Sequence, residues 1–360
     1  TAVTVFPHGR SNSTATSVSV PSLLTGVATH GSTFRFHRAP SVFQAAKAAG
    51  MRTFLLTAQD WRWEHFDQFF FGSIDHVVHR TSWDAPRVND LGVDDALTLD
   101  SLPGLLTESP RPFFGVWQFN ANHGPFYPGP GRSDQPLSSM GRYRESIRYI
   151  DSVVGVGLAR MKSDGLLDRT IVFVVSDHGE NVGARQMGRI NSFFEECVRI
   201  PFAIRLPDSL IRTPRGRSMH RNLAEWSRRD VQLLDVAPTI YDILGLLQRP
   251  EVAGSIDGAS LVGVPPRSRT TSGQNTGDIR SWDIEGGYLL RDGVKLVFST
   301  GGKGGLFDLR SDPRESRDLW DSIAFRDAQL PWIHQAFQDP GLAALCRRAG
   351  NSCPVPSSQP

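Results

Sequence analysis

Three cysteines in 360 residues are too few for a disulfide scaffold, and no CxxC or Cys/His cluster marks a structural zinc. No apolar run approaches the length that crosses a bilayer, and no signal-peptide pattern is present. The chain starts at Thr1, which leaves room for an N-terminal membrane anchor upstream of it. Net charge is only +2, so bulk charge gives no case for nucleic-acid binding. Lysine is scarce as well: Lys47, Lys162, Lys295 and Lys303 stand among 39 basic residues, the rest Arg. Arginine is the better bidentate partner for phosphate or sulfate, but genome composition gives the same bias, so this decides little.

What is present is ordinary for a globular protein: 39% hydrophobic, 21% charged and 9% aromatic residues. This length suits one large α/β domain with an appendage, or two domains. The segment SVFQAAKAAG predicts a helix capped by Ser41 and stopped by Gly50, followed by a buried strand at 52–57. A second strand is expected near 113–120. From about Met140 apolar residues recur with a 3.6-residue period until Gly165, which predicts a long helix. TIVFVVS (170–176) reads as a strand buried on both faces of a parallel sheet, and 201–206 as another. DVAPTIYDILGL is a helix with Pro238 in its first turn.

This alternation predicts an open, mostly parallel sheet covered by helices on both faces. After about residue 275 the pattern changes. Asp292-Gly293 joins two short strands as a hairpin, within a small antiparallel C-terminal subdomain. The basic stretch from Arg212 to Asp230 reads as a solvated surface loop, since Trp226 alone makes no stacking platform for single-stranded nucleic acid. Cys346 and Cys353 are spaced for one local bridge, which fits an oxidising compartment. Cys197 reads as a buried thiol.

Two stretches carry chemistry. STATSVSVPSLLTG (13–26) crowds hydroxyls ahead of a Leu-Leu pair, which is either a serine-rich loop or a nucleophile at a helix start. VVSDHGEN (174–181) places Asp177 and His178 just past a central strand, where open α/β sheets build ligand sites. Alone the tripeptide reads sooner as a turn with a surface His. At the end of a buried strand, an oxygen and an imidazole can share one metal ion.

In order along the chain these segments resemble the sulfatase and alkaline-phosphatase superfamily. SDHGE is similar to its metal loop, NANHGPFYP to its substrate loop, and GLFDLRSDPRESRDL to its C-terminal strand and turn. In sulfatases a Cys or Ser, later oxidised to formylglycine, precedes LLTG by seven residues, and here that position is Thr16. The phosphoethanolamine transferases of the superfamily use a Thr five residues before Pro in a TAxxVSVP setting, which again selects Thr16. The resemblance implies Thr16 as nucleophile and metal ligand, Asp177 and His178 as metal ligands, and His123 as general acid or as a group that binds the phosphoryl oxygens. Asn122 and Arg189 are implied as substrate contacts. The implied cofactor is a divalent metal, Zn²⁺ first, with Ca²⁺, Mg²⁺ or Mn²⁺ as alternatives.

The function this implies is transfer of a phosphoethanolamine- or phosphoglycerol-like group, through phospho-Thr16, to a lipid or glycan outside the cytoplasm. A hydrolase of phosphate or sulfate esters is the first alternative, and a degenerate anion-binding member the second. The family's first strand, with its acidic metal ligand, has no counterpart before Thr16, and Arg189 stands near the place of a ligand His. Residues 1–275 are accordingly expected to form an N-terminally truncated catalytic domain, 276–345 the antiparallel subdomain, and 346–360 a tail.

Overall fold

The computed structural model describes residues 2–29, 32–107, 112–132, 136–182, 192–275, 286–299 and 304–349. The chain divides into two compact units, one from residues 1–40, 171–181 and 185–360, the other from 41–170 with 182–184.

The second unit is built on a parallel sheet. Strand β3 (Arg52–Thr57) pairs in parallel with β4 (His76–Val78) and β5 (Phe113–Gln118). All six residues of β3 are buried, as its apolar run demands. Helix α2 (Val42–Ala48) starts at Ser41, whose side chain accepts from Gln44 N while Gln44 answers to the Ser41 amide. That reciprocal pair is a capping box. The long helix spans Ser139–Ser163, and its Met161 packs with Phe54, Leu56 and Leu102. Gly165 follows it with positive φ, as the sequence predicts.

Among the described residues the first unit holds three sheets. Strand β7 (Phe202–Leu206) lies between β1 (Ala2–Val5) and β6 (Val172–Val175), antiparallel to both. The strand at 172–175 is therefore where the sequence places it, but its ladder is antiparallel and Val174 is 49% exposed. An apolar run does not encode the direction of its neighbour, because side chains alternate the same way in either ladder. A parallel pair joins β2 (Gly9–Arg10) to β8 (Val231–Gln232).

The C-terminal sheet runs in the order β12 (Gly305–Asp308), β11 (Val294–Ser299), β10 (Gly286–Arg291), β9 (Thr270–Asn275), antiparallel throughout. Asp292 and Gly293 both take positive φ, the conformation a two-residue hairpin needs. The helix Val236–Ile243 carries Pro238 in its first turn. Among the described residues no helix is long and apolar enough to cross a membrane.

One reading is corrected. Most of the basic stretch is a helix, Pro214–Trp226, capped by Thr213 with Pro214 in its first turn. Gly216, Met219, Leu223 and Trp226 are its buried residues, a spacing of three, four and three. The arginines between them hid this stripe, but long polar side chains on the outer face do not prevent a helix from burying the inner one. Cys346 sits fully buried in the helix Pro340–Arg348 and is disulfide-bonded, not free. Its expected partner Cys353 lies outside the described residues, as does Arg189. Cys197 is a free, buried thiol.

Candidate active site

The crowd of hydroxyls divides by partner. Ser13 Oγ donates to Asn275 Oδ1 at 2.6 Å, and Asn275 Nδ2 donates to Thr14 Oγ1 at 2.9 Å. Asn12 Nδ2 donates to Ser22 Oγ at 2.8 Å, and Tyr288 Oη donates to the Ser11 carbonyl at 2.8 Å. All of these groups are buried. An irregular backbone segment inside a protein needs such partners for its polar groups. Ser13, Thr14 and Ser22 are therefore internal scaffolding.

Thr16 differs from them. It opens helix α1 (Thr16–Thr25) after Ala15, an extended residue that offers no side-chain cap. Its Oγ1 lies 2.9 Å from Asp177 Oδ2 and 3.1 Å from His178 Nε2. Thr16 is 8% exposed. Thr16, Asp177 and His178 are thus brought together as the sequence expects.

The loop after β6 is built to aim the imidazole. His178 Nδ1 lies 2.7 Å from the Gly179 carbonyl. A carbonyl only accepts, so Nδ1 carries the proton and Nε2 presents a lone pair to Thr16. Ser176 Oγ donates to the His178 carbonyl, and Ser11 Oγ to the Asp177 carbonyl. Gly179 N donates to the Cys197 carbonyl at 2.7 Å, and Glu180 N to the Glu196 carbonyl at 3.0 Å. A Cβ on residue 179 would stand 2.3 Å from the Glu196 carbonyl oxygen, so only glycine fits against that backbone.

The three atoms also pass a test for a metal. One hydroxyl proton cannot serve both Asp177 Oδ2 and His178 Nε2, which are themselves 3.3 Å apart. Surplus lone pairs from a carboxylate, an imidazole and a hydroxyl therefore face one point. Oxygen and imidazole donors suit Zn²⁺ and harder divalent ions alike. Among the described residues no cluster of three or more His, Cys, Asp or Glu side chains forms, so the set falls short of the four ligands of a closed zinc site.

Upstream, the approach to this segment is anchored by buried charge. Arg10 forks onto Glu195 at 2.8 and 2.9 Å and reaches Asp230 at 2.7 Å. The fully buried Lys295 bridges Glu195 at 3.0 Å and Glu315 at 2.8 Å. Burial works against ionisation of Glu195, but the charges of Lys295 and Arg10 outweigh it and hold the carboxyl at about 2. Sequence reasoning missed this network and Asn275, because their partners lie about 100 to 260 residues away with no local pattern to mark them.

His123 and Asn122 belong to the other unit. The loop that follows β5 is held at its start by Asp95, whose carboxylate accepts from Asn120 N at 2.9 Å and Ala121 N at 2.8 Å. Its far end is held by Asp94, which accepts from Tyr127 Oη at 3.1 Å. His123 Nδ1 lies 2.8 Å from the Gly124 carbonyl, so the proton again sits on Nδ1. Asn122 Oδ1 is buried without a hydrogen-bond partner, a state that costs free energy until a donor arrives.

Comparison with known proteins is consistent with this picture. The sulfatase family model matches residues 1–246. An arylsulfatase of Clostridium perfringens is 28% identical over 187 residues, covering 51% of this chain and 36% of that protein. The chain therefore spans little more than a third of that relative's length. The lipoteichoic acid synthase LtaP of Listeria monocytogenes superposes with a TM-score of 0.65 at 14% identity, over 97% of this chain and 84% of that one. The periplasmic domain of EptC from Escherichia coli, in complex with Zn, gives a TM-score of 0.59 at 18% identity, over 78% and 80%. These two likenesses show an α/β fold of the alkaline-phosphatase type and nothing finer.

Proposed function

The chain belongs to the sulfatase family, and from that premise we propose that it is a phosphoryl-group transferase with Thr16 as its covalent nucleophile. The observation that carries this is the placement of Thr16 Oγ1 at 2.9 Å from Asp177 Oδ2 and 3.1 Å from His178 Nε2. A threonine cannot be converted to the aldehyde of formylglycine, because its Cβ already bears a methyl group and would oxidise to a ketone. It can still form a phosphate ester.

In the first half-reaction Thr16 Oγ1 bonds to phosphorus and the bond to the departing oxygen breaks. The hydroxyl proton leaves through Asp177 Oδ2 to solvent. The departing oxygen takes a proton from Nε2 of a protonated His123, the role proposed for that residue. In the second half-reaction a lipid or glycan hydroxyl, of phosphoethanolamine- or phosphoglycerol-acceptor type, attacks the phosphorus and gives its proton to His123. The bond from phosphorus to Thr16 breaks, and Oγ1 takes a proton back from solvent through Asp177 Oδ2. A divalent cation held by Asp177, His178 and Thr16, with zinc the first candidate, would supply the positive charge that makes a threonine alkoxide accessible near neutral pH. Helix α1 adds its N-terminal dipole behind the same oxygen. The orphaned Asn122 Oδ1 supports that residue's reading as a substrate contact.

A second reading, ester hydrolysis with water as acceptor, is favoured by the resemblance to an arylsulfatase. Peptide mass mapping separates the two. The chain is incubated with zinc and bis(p-nitrophenyl) phosphate, and in parallel with p-nitrophenyl sulfate. A phosphoryl adduct on Thr16, absent from Thr16→Ala, is the expected result. Turnover of the sulfate ester by Thr16→Ala at the unmutated rate would overturn the assignment. The extracytoplasmic setting and the separation of residues 276–345 from a catalytic 1–275 belong to the same proposal.

A further inference from the structure

We infer that the unit carrying Thr16 holds a second oxyanion site, a receptor for a sulfate or phosphate group, that includes none of Thr16, Asp177 and His178. It is a cavity of about 320 Å³ with six arginines in its lining: Arg10, Arg199, Arg228, Arg229, Arg269 and Arg310. That volume is at the small end of ligand pockets, the size of a charged monosaccharide rather than a nucleic-acid strand.

The arginines fall into two groups. Three are fixed by carboxylates: Arg10 by Glu195 and Asp230, Arg269 by a fork onto Asp235 at 2.7 and 2.6 Å, and Arg310 by Asp308 at 2.8 Å. Arg269 also lies over the Trp226 ring at 5.7 Å. That occupied ring face leaves no platform for a nucleobase. The acids that line the cavity beside them, Glu195 and Asp230, are engaged with Arg10, while Asp292 lies exposed on the hairpin turn.

The second group is open. Among the described residues Arg199 and Arg228 make no side-chain hydrogen bond or ion pair, and Arg229 reaches only the carbonyls of Pro266 and Arg267. All three are exposed. Guanidinium groups without carboxylate partners, set beside a cavity whose other arginines are held by carboxylates, match a tetrahedral oxyanion that accepts two bonds from each planar fork. Surface arginines spread evenly would repel one another for no return, whereas a shared anion turns that repulsion into binding.

The anion can be free or can be an ester group on a glycan, and titration calorimetry distinguishes these. The Thr16→Ala chain is used, so that neither turnover nor the fate of the Thr16 proposal enters the readout. Sodium phosphate, sodium sulfate and dextran sulfate are each titrated into this chain and into the same chain carrying Arg199→Ser and Arg228→Ser. Both arginines are exposed and unpaired, so the double variant should fold, and circular dichroism verifies that. Binding should weaken at least about tenfold, the worth of one charge-assisted hydrogen bond. It should also become less sensitive to salt. A loss seen with the inorganic ions assigns the site to free anions, and a loss seen only with dextran sulfate assigns it to ester groups. Equal affinity in both chains for every probe, or no binding to either, overturns the inference.

Discussion

Two loops of this molecule carry the same dipeptide, His-Gly, just beyond the end of a strand. Asp177-His178-Gly179 follows β6, and Asn122-His123-Gly124 follows β5. In both, the imidazole Nδ1 sits beside the carbonyl of the next glycine, at 2.7 and 2.8 Å. Each ring is thereby fixed through Nδ1, and in the first loop Nε2 is turned to Thr16 Oγ1 at 3.1 Å. What differs is the support. The first loop is fixed by backbone, through the Cys197 and Glu196 carbonyls, while the second hangs on the carboxylates of Asp95 and Asp94. A local sequence device can set a tautomer, but only distant partners decide what the freed nitrogen meets.

The comparison breaks most sharply at the histidines themselves. His178→Ala removes a group in contact with Thr16 Oγ1 and one of the two side chains that would share a metal with it. Losses on the scale of nucleophile or triad deletions, on the order of 10⁴–10⁶ in kcat, are expected. His123→Ala should cost about 10²–10⁴, the range for a general acid. Steady-state turnover of an unactivated alkyl phosphodiester, whose departing oxygen needs a proton, reads both. Restoration of His123→Ala, but not of His178→Ala, by an ester whose leaving group needs no proton would sharpen the contrast. Equal losses that the ester does not relieve would erase it.

The glycines provide a milder test. A Cβ at position 179 would meet the Glu196 carbonyl oxygen at 2.3 Å, whereas one at 124 would meet nothing within 4 Å. Gly179→Ala should therefore force a backbone shift and cost about 1–3 kcal/mol, as overpacking does. Gly124→Ala should stay within about 0.5 kcal/mol, as neutral substitutions do. Urea denaturation of the two variants checks this, and comparable midpoints would show that the first loop is not held as tightly as its contacts indicate.

Much of this is legible in the sequence alone. Periodicity located β3, β5, β6 and the long helix, because burial acts on every residue of an element and leaves a repeating mark. Thr16 was legible through the two registers of the family resemblance, and Asp177 and His178 through their place at a strand end. The antiparallel partner of β6 was not, since side-chain alternation is blind to direction. The helix Pro214–Trp226 was masked by its own arginines. Asn275, Lys295 and Asp95 were invisible for a common reason: each acts on a segment distant in sequence, and nothing in its neighbours announces the partner.

The finest difference between the loops is their response to pH, and Asp95 supplies it. Burial pushes this carboxyl up to about 7, against the amides of Ala121 and Asn120, which pull it down. The unfolded chain releases the same proton near 4. Between those values the folded state binds a proton that the unfolded state does not. Asp95 therefore contributes stability that is complete below pH 4 and is lost as pH rises through 7. Asp95→Asn carries no proton to exchange, so its unfolding free energy should fall less steeply between pH 5 and pH 8 than that of the unmutated chain. Hydrogen exchange locates the effect: the amides of Asn120 and Ala121 should change protection across that window, while those of Gly179 and Glu180, bonded to carbonyls that do not titrate, should not. The ring of His123 rides on the segment that Asp95 holds, so any pH dependence of its position enters turnover below the histidine and glycine effects. An identical pH slope in Asp95→Asn would mean that the second loop is held by its backbone bonds as firmly as the first, and the contrast between them would rest on the two histidines alone.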